Sequence, residues 1–333
     1  MDWKKLWTLS TALLLLLAAT VACKDDEEED VTGESMSGVI EYSIPYYVLK
    51  GELVTMTASG IIDPVDVSYK WYITGLYLDT LSFSTITVRF PDSIGVFTVS
   101  ATSNAPGYYT STTSQTVTTV DTAYNASLRN VPRSGQSIVD PRDGREYAFI
   151  TIGGLDWFSQ NLALHNYPFF NNCRPYKNSP SAVSLFGVYY TWEEANANPC
   201  PEGWRVPDNA DWASLGSAMA GRPVAFVDDW AGLGSKASAD ALLNEERMWP
   251  YSPDNTHTND FGWNALPLGL STEDGKSWSG ENAYGYWWSA TEKNAVHGYY
   301  RYIYYDRDAF PMGFADKEVV RAAIRCVRTH PQS

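Results

Sequence analysis

A two-residue alternation of apolar and polar side chains runs between positions 38 and 120 and restricts the fold more than any other feature of the chain. Successive side chains of a β-strand point to opposite faces, so this period is typical of strands that bury one face. Breaks containing Gly, Pro, Asp or Ser separate the runs at the spacing of a small sandwich. We therefore predict a β-sandwich at 38–120. Its inward-facing sets are Val54, Met56 and Ala58; Val67, Tyr69, Trp71 and Ile73; Ile86, Val88 and Phe90; and Phe97, Val99 and Ala101.

The first 22 residues have the pattern of a cleaved export signal. Lys4 and Lys5 give a short basic start, and the apolar run at 9–19 is too short to remain as a membrane span. Cys23 follows in the order Thr-Val-Ala-Cys, which resembles the lipobox of bacterial lipoproteins, where the cysteine is acylated and becomes the mature N-terminus. The resemblance implies that Cys23 anchors the protein to a membrane through lipid. The other interpretation is an ordinary signal peptide followed by a chance cysteine.

An acidic tether at 23–37 follows the predicted cleavage point. Residues 24–30 contain one lysine and six acidic residues, whose mutual repulsion favours an extended, solvated segment. A lysine and acids directly after the acylated cysteine also resemble the surface-export signal of Bacteroidota lipoproteins. That resemblance implies a position on the outer face of the outer membrane.

The charge balance argues against one class of partner. The chain carries 24 Lys and Arg against 39 Asp and Glu, a net charge of -15. A phosphate-binding surface would have to form against this negative field, so we do not expect nucleic acid to bind.

The predicted sandwich resembles PKD-like and bacterial Ig-like modules. The resemblance rests on Tyr69-Lys70-Trp71-Tyr72 and on the alternating strand at 95–102. Such modules usually act as spacers, and this one offers no catalytic constellation. A linker at 121–137, rich in small and polar residues, leads from it to the rest of the chain.

The C-terminal part, 138–328, contains ten of the eleven tryptophans that follow the predicted signal peptide. A helix is predicted from Asp208, a plausible N-cap with Asp211 at the capping-box position, to Gly221. Four ordered motifs resemble the Fibrobacter succinogenes major paralogous domain: CPEGWRVP at 200–207, FGWNALPLG at 261–269, YWWSATE at 286–292 and IRCVR at 324–328. The resemblance implies a C-type-lectin-like fold, with two helices against small antiparallel sheets, and leaves 329–333 as a tail. The whole chain is thus expected to be mainly β, an Ig-like sandwich followed by an α+β domain.

Three cysteines remain after Cys23, and an exported chain favours their pairing. The lectin-like fold ties its first helix to its last strand, so the resemblance assigns a disulfide between Cys200 and Cys326. Cys173 is left over, and we interpret it as a covered thiol rather than a nucleophile.

Catalytic and metal-binding patterns are weak. The four histidines have no metal-ligand spacing to one another or to a cysteine, and no glycine-rich phosphate loop occurs. We expect no enzymatic activity, no cofactor and no metal ion. Two alternatives stay open: a structural calcium ion held by oxygens at 253–260, and a glycosidase carboxylate pair among the loop acids.

Aromatic residues in the long loops of the C-terminal domain are the candidate binding residues. Exposed rings stack on the apolar faces of sugars, and polar loops hydrogen-bond the hydroxyl groups. We predict that Trp249, Tyr251, Trp278 and Tyr284 bind a glycan or another extracellular ligand, although these rings could instead pack the loops together. The leading hypothesis is a non-catalytic adhesion protein of the cell surface. The others are a subunit of a surface or fimbria-like assembly with a protein partner, and a hydrolase.

Overall fold

The computed structural model describes residues 33–76, 83–123, 125–165, 172–272 and 275–331. Strands make up 44% and helices 11%, which confirms the prediction of a mainly β protein. Within these ranges, no helix has both the length and the apolar character needed to cross a membrane. Cys23 and the predicted tether up to residue 32 lie outside the described residues.

The N-terminal domain is a sandwich of two sheets. One has the strand order β1-β3-β5 and the other the order β2-β7-β6-β4. The alternating sets predicted to face inward do so: Met56, Ile73 and Val99 are fully buried, and they pack in one core with Trp71. Its strands are β1 (Ser37–Ser43), β2 (Tyr47–Leu49), β3 (Leu53–Asp63), β4 (Ser68–Ile73), β5 (Thr85–Arg89), β6 (Gly95–Asn104) and β7 (Ser111–Val120).

The C-terminal domain, called the head below, is built on a four-stranded and a five-stranded sheet. Its strands are β8 (Leu128–Arg129), β9 (Ser137–Val139), β10 (Glu146–Ile152), β11 (Leu155–Phe158), β12 (Arg174–Pro175), β13 (Val188–Tyr189), β14 (Leu242–Leu243), β15 (Glu246–Arg247), β16 (Leu268–Thr272), β17 (Ser277–Glu281), β18 (Tyr284–Glu292), β19 (His297–Tyr304), β20 (Met312–Asp316) and β21 (Val327–Thr329). The four-stranded sheet has the order β21-β11-β10-β9 and the five-stranded sheet the order β17-β16-β18-β19-β20. The last three strands of the larger sheet, β18, β19 and β20, pair antiparallel.

Short helices join these strands: α1 (Val183–Phe186), α2 (Trp192–Asn196), α3 (Asn209–Ala220) and α4 (Gly234–Ala237), with 3₁₀ turns at Tyr176–Asn178 and Pro180–Ala182. Helix α3 is the helix predicted from its caps. The Asp208 side chain accepts hydrogen bonds from the first-turn backbone, Asp211 completes the capping box, and Gly221 ends the helix in a left-handed conformation. Trp212 lies on its buried face.

A disulfide joins Cys200 to Cys326, with Cα atoms 5.8 Å apart, and confirms the predicted pairing. It ties the segment after α2 to the residue before β21, inside a core that also contains Trp204 and Trp288. Cys173 is buried and takes no part in the disulfide.

The sandwich and the head are in direct contact. The Tyr47 ring of β2 packs on Tyr176 and Phe186 of the head, with ring centroids 5.7 and 5.5 Å apart. The Ser181 hydroxyl donates to the Glu52 carboxylate over 2.9 Å. In addition, β8 pairs with β14, so part of the predicted linker forms a strand of the head.

Candidate functional site

The predicted binding residues divide into buried and accessible ones. Trp249 is fully buried, with its ring stacked on His257 at a centroid distance of 4.7 Å. This corrects the prediction that it contacts ligand. Its loop is closed over it because a large apolar ring gains free energy by leaving water.

Trp278 and Tyr251 are placed differently from Trp249. Trp278, on β17, is half-buried, and its ring meets Tyr176 and Tyr189 edge-on at 5.3 and 5.0 Å. Those contacts hold β17 against β13 and the 3₁₀ turn at Tyr176–Asn178. Tyr251 is 79% exposed, so its ring is open to solvent. The four predicted residues therefore do not form one surface.

Tyr284 belongs to a larger aromatic surface formed by β18 and β19. The antiparallel register places Tyr284 opposite Tyr304, Tyr286 opposite Tyr302, and Trp288 opposite Tyr300. Because side chains two apart on a strand share a face, all six rings lie on one side of the sheet. Trp288 continues into the core, whereas the other five are half-buried. We call these five residues the tyrosine ladder: Tyr284, Tyr286, Tyr300, Tyr302 and Tyr304.

The rings of the ladder lie on one another. Tyr284 is stacked on Tyr304 at 4.5 Å and on Tyr286 at 5.4 Å, and Tyr286 is stacked on Tyr302 at 5.8 Å. Ring faces inside the stack are therefore covered by neighbours. A ligand at the middle of the ladder would contact ring edges and phenol hydroxyl groups.

Burial favours the protonated form of three of the ladder phenols. Burial raises the pKa of Tyr286, Tyr300 and Tyr302 above the usual value, and the neighbouring phenols add to the effect in each. A protonated phenol both donates and accepts a hydrogen bond. The ladder is thus an uncharged row of donors and acceptors on a strongly acidic protein.

One end of the ladder borders a shallow cavity lined by Tyr284, Tyr302, Tyr304, Arg307, Ala309 and Pro311. Arg307 forms an ion pair with Asp229, so its charge in the cavity wall is compensated. The loop that carries Tyr251 is fixed at this end, because Ser252 donates a hydrogen bond to Asp306 over 3.0 Å.

Two glycines shape the other end. A Cβ atom on Gly298 would collide with the Trp192 ring, and one on Gly313 would lie 2.5 Å from the Tyr300 ring. These rings therefore pack directly against the backbone of β19 and β20. The absence of side chains at both positions leaves room for the Trp192 and Tyr300 rings at this end of the ladder.

The other candidate chemistries occupy less suitable places. Ser238 and His257 form a hydrogen bond of 2.8 Å, but both are buried, and the Trp249 ring covers His257. In the segment 253–260, the Asn255 and Asn259 side chains donate hydrogen bonds to Tyr304 and Asn264 and thereby anchor the loop. Among the described residues, no three His, Cys, Asp or Glu side chains are grouped so that they could hold a metal ion.

Sequence reasoning found only Tyr284 among the five ladder residues. The signal for the others is the repeat Tyr-x-Tyr-x-Trp at 284–288 followed by Tyr-x-Tyr-x-Tyr at 300–304. Two period-two aromatic runs separated by a short polar stretch are typical of a hairpin with one aromatic face.

Comparison with known proteins identifies one family. The Fibrobacter succinogenes major domain model matches residues 150–328, which is more than half of the chain. The match covers the head from β10 to β21 and includes every residue of the tyrosine ladder. No curated protein and no solved structure matches the chain.

Proposed function

The chain belongs to the Fibrobacter succinogenes major domain family, and we propose that it is a non-catalytic, lipid-anchored protein of the bacterial outer surface that binds carbohydrate through the tyrosine ladder. In this proposal the acylated Cys23 and the acidic tether attach a PKD-like or Ig-like sandwich to the outer membrane. The sandwich carries a head of C-type-lectin-like fold.

Two features support export. The order Thr-Val-Ala-Cys at 20–23, followed by an acidic run, fits an acylated and surface-directed N-terminus. The disulfide between Cys200 and Cys326 fits an oxidising compartment outside the cytoplasm.

A short helix next to one of its cysteines and a strand next to the other also agree with a C-type-lectin-like head.

The tyrosine ladder is the observation that carries the binding proposal. A saccharide presents hydroxyl groups that both donate and accept hydrogen bonds, as do the neutral phenols of the ladder. Successive rungs on one face are about 7 Å apart, two residues at about 3.4 Å each, so the three rungs favour an extended ligand lying along the strands. The wall at the cavity end carries no net charge, because Arg307 is paired with Asp229, and this favours a neutral polysaccharide.

Affinity gel electrophoresis tests the proposal with the full-length protein in detergent and a panel of neutral and acidic soluble polysaccharides. We expect a neutral polysaccharide to retard the wild-type protein. Tyr302→Phe removes only a hydroxyl and should weaken binding about 2- to 10-fold, the effect of one hydrogen bond of about 0.5–1.5 kcal/mol. Tyr302→Ala should weaken it further.

The matched control is Tyr72→Ala, which removes a tyrosine that is 59% exposed on the sandwich. It should leave retardation unchanged. The proposal fails if no polysaccharide retards the protein, or if Tyr302→Ala behaves as Tyr72→Ala does. A stable oligomer or a stoichiometric co-purifying protein lost with Tyr302→Ala would instead assign the ladder to an assembly.

A further inference from the structure

A second candidate site lies on the side of the head that faces the linker. Two cavities there share Arg133, Gln160, Asn161, Ser184 and Leu185 in their walls, so they form one continuous cleft. We call it the linker cleft. Its two parts hold about 60 and 200 Å³, less than the roughly 300–1,000 Å³ of sites for drug-sized molecules, so the cleft suits a smaller ligand.

The charges in the linker cleft oppose those of the protein as a whole. Three arginines, Arg133, Arg145 and Arg325, line it, against the carboxylate of Glu146 in the wall and that of Asp143, which pairs with Arg145. Elsewhere the chain is strongly acidic, with a net charge of -15. Basic walls inside an acidic protein concentrate small anions because the surrounding low-dielectric walls focus the field.

Arg325 is the deepest of these cations. Its side chain is 1% exposed, and its hydrogen bonds go to Asn161 and to the backbone carbonyls of Phe158, Trp263 and Asn264. No carboxylate of the described residues forms an ion pair with it. A buried guanidinium is expensive unless a negative charge offsets it. Burial accordingly lowers the pKa of Arg325 to about 9.

A count of the hydrogen bonds that Arg325 donates shows which of its N–H groups is available to a ligand. A guanidinium has five N–H donors. The bonds to Asn161, Phe158, Trp263 and Asn264 use four of them, one on Nε, two on Nη1 and one on Nη2. The second Nη2 hydrogen therefore has no acceptor among the described residues. Arg325 lines the cleft, so an oxygen atom of a bound ligand is a natural acceptor.

The other walls match a polar ring rather than a lipid or an extended apolar group. The amide of Gln160 and the hydroxyl of Ser184 lie beside the apolar side chains of Leu128 and Leu185. Arg145 donates to Ser184 over 3.1 Å and pairs with Asp143. These contacts pre-position its guanidinium at the rim. Glu146 disfavours a ligand with two negative charges.

We propose that the linker cleft binds a small molecule carrying a single carboxylate, of the size of a sugar acid, with the carboxylate held by the arginines and the ring by the Gln160 amide and the Ser184 hydroxyl. This site is separate from the tyrosine ladder, and its ligand differs in charge. The proposal therefore stands or falls independently of polysaccharide binding.

Isothermal titration calorimetry of the full-length protein in detergent, at low ionic strength, tests it with four probes. D-galacturonate provides ring and carboxylate, D-galactose the ring alone, acetate the carboxylate alone, and inorganic phosphate a more highly charged oxyanion. We expect D-galacturonate to bind at least tenfold more tightly than each of the others. Equal affinity for D-galactose, tighter binding of phosphate, or no binding of D-galacturonate would overturn the proposal.

Substitutions locate the binding. Arg325→Gln removes core hydrogen bonds and is expected to impair folding, so the informative variants are Arg133→Gln and Arg145→Gln at the cleft wall. Each should weaken D-galacturonate binding about tenfold, and unchanged affinity in both would refute the assignment. The control Arg222→Gln changes an exposed arginine of the head outside the cleft and should bind as wild type. Tyr302→Ala should also bind D-galacturonate normally.

Discussion

Tyr47→Ala tests whether the sandwich and the head fold as one unit. Tyr47 lies on β2 of the sandwich, yet its ring packs on Tyr176 and Phe186 of the head. Burial raises the pKa of Tyr47 to about 12, in keeping with a phenol largely removed from water. The substitution removes these contacts and leaves the sandwich core around Trp71 in place.

The expected loss follows from the contacts. Two aromatic pairs are worth about 0.5–1.5 kcal/mol each beyond burial. Removing about 100 Å² of buried ring at about 25 cal/mol per Å² adds about 2.5 kcal/mol. The coupling between the two domains should therefore fall by about 3.5–5.5 kcal/mol. The backbone hydrogen bond from Tyr47 to Ser179 and the Ser181–Glu52 bond are retained in the variant.

Differential scanning calorimetry and tryptophan fluorescence provide the assay. Ten of the eleven tryptophans after residue 22 lie in the head, and Trp71 is the one in the sandwich, so fluorescence reports chiefly on the head. We expect one calorimetric transition for the wild type, coincident with the fluorescence change, and two separated transitions for Tyr47→Ala. Tyr72→Ala, on the exposed face of the sandwich, should retain one. Two transitions in the wild type, or an unaltered Tyr47→Ala profile, would refute the coupling.

Three further predictions concern the stability of the head. Replacing both Cys200 and Cys326 by Ser opens a loop with a sequence separation of 126. In the chain-entropy description, the free energy of unfolding measured by urea denaturation should fall by about 5 kcal/mol. A loss below about 1 kcal/mol would contradict this prediction. Burial lowers the pKa of His257 to about 4, so the folded state disfavours a proton that the unfolded chain accepts below about pH 6.5. The free energy of unfolding should therefore fall as the pH decreases from about 6.5 to 4. His257→Phe should weaken that pH dependence in urea titrations. Gly298→Ala displaces the Trp192 ring and should cost about 1–3 kcal/mol in the same assay, whereas Gly135→Ala, which points into open space, should be nearly neutral.

Local patterns predicted a large part of the fold. Met56, Ile73 and Val99 face the sandwich core because period-two alternation is set by strand geometry alone. The ends of α3 follow from Asp208 and Gly221, which satisfy backbone groups of the terminal turns. These features depend on neighbours within a few residues. Contacts between β2 and the head depend on the packing of distant segments, and no local pattern indicates them.

The candidate site was predicted poorly because exposure was inferred from position in a loop. Trp249 lies in a loop, yet it is buried, since a loop can fold back over an aromatic ring. Tyr284 was found, but its four companions depend on the register that pairs β18 with β19. A shift of one residue in that register would bring Tyr284 opposite Ile303 and divide the ladder between the two faces of the sheet.

Eight of the ten tryptophans of the head are buried, whereas the ladder tyrosines are half-buried. Trp157, Trp212, Trp249, Trp263, Trp287 and Trp288 are all fully buried in the head. A tyrosine can bury its ring against neighbours while its hydroxyl stays in water, so a half-buried tyrosine row loses little solvation. Such a row keeps polar groups available at fixed spacing on a rigid sheet, which a loop tryptophan cannot do. In a tryptophan-rich head of this kind, alternating tyrosines on paired strands are therefore better candidates for ligand contact than tryptophans in loops.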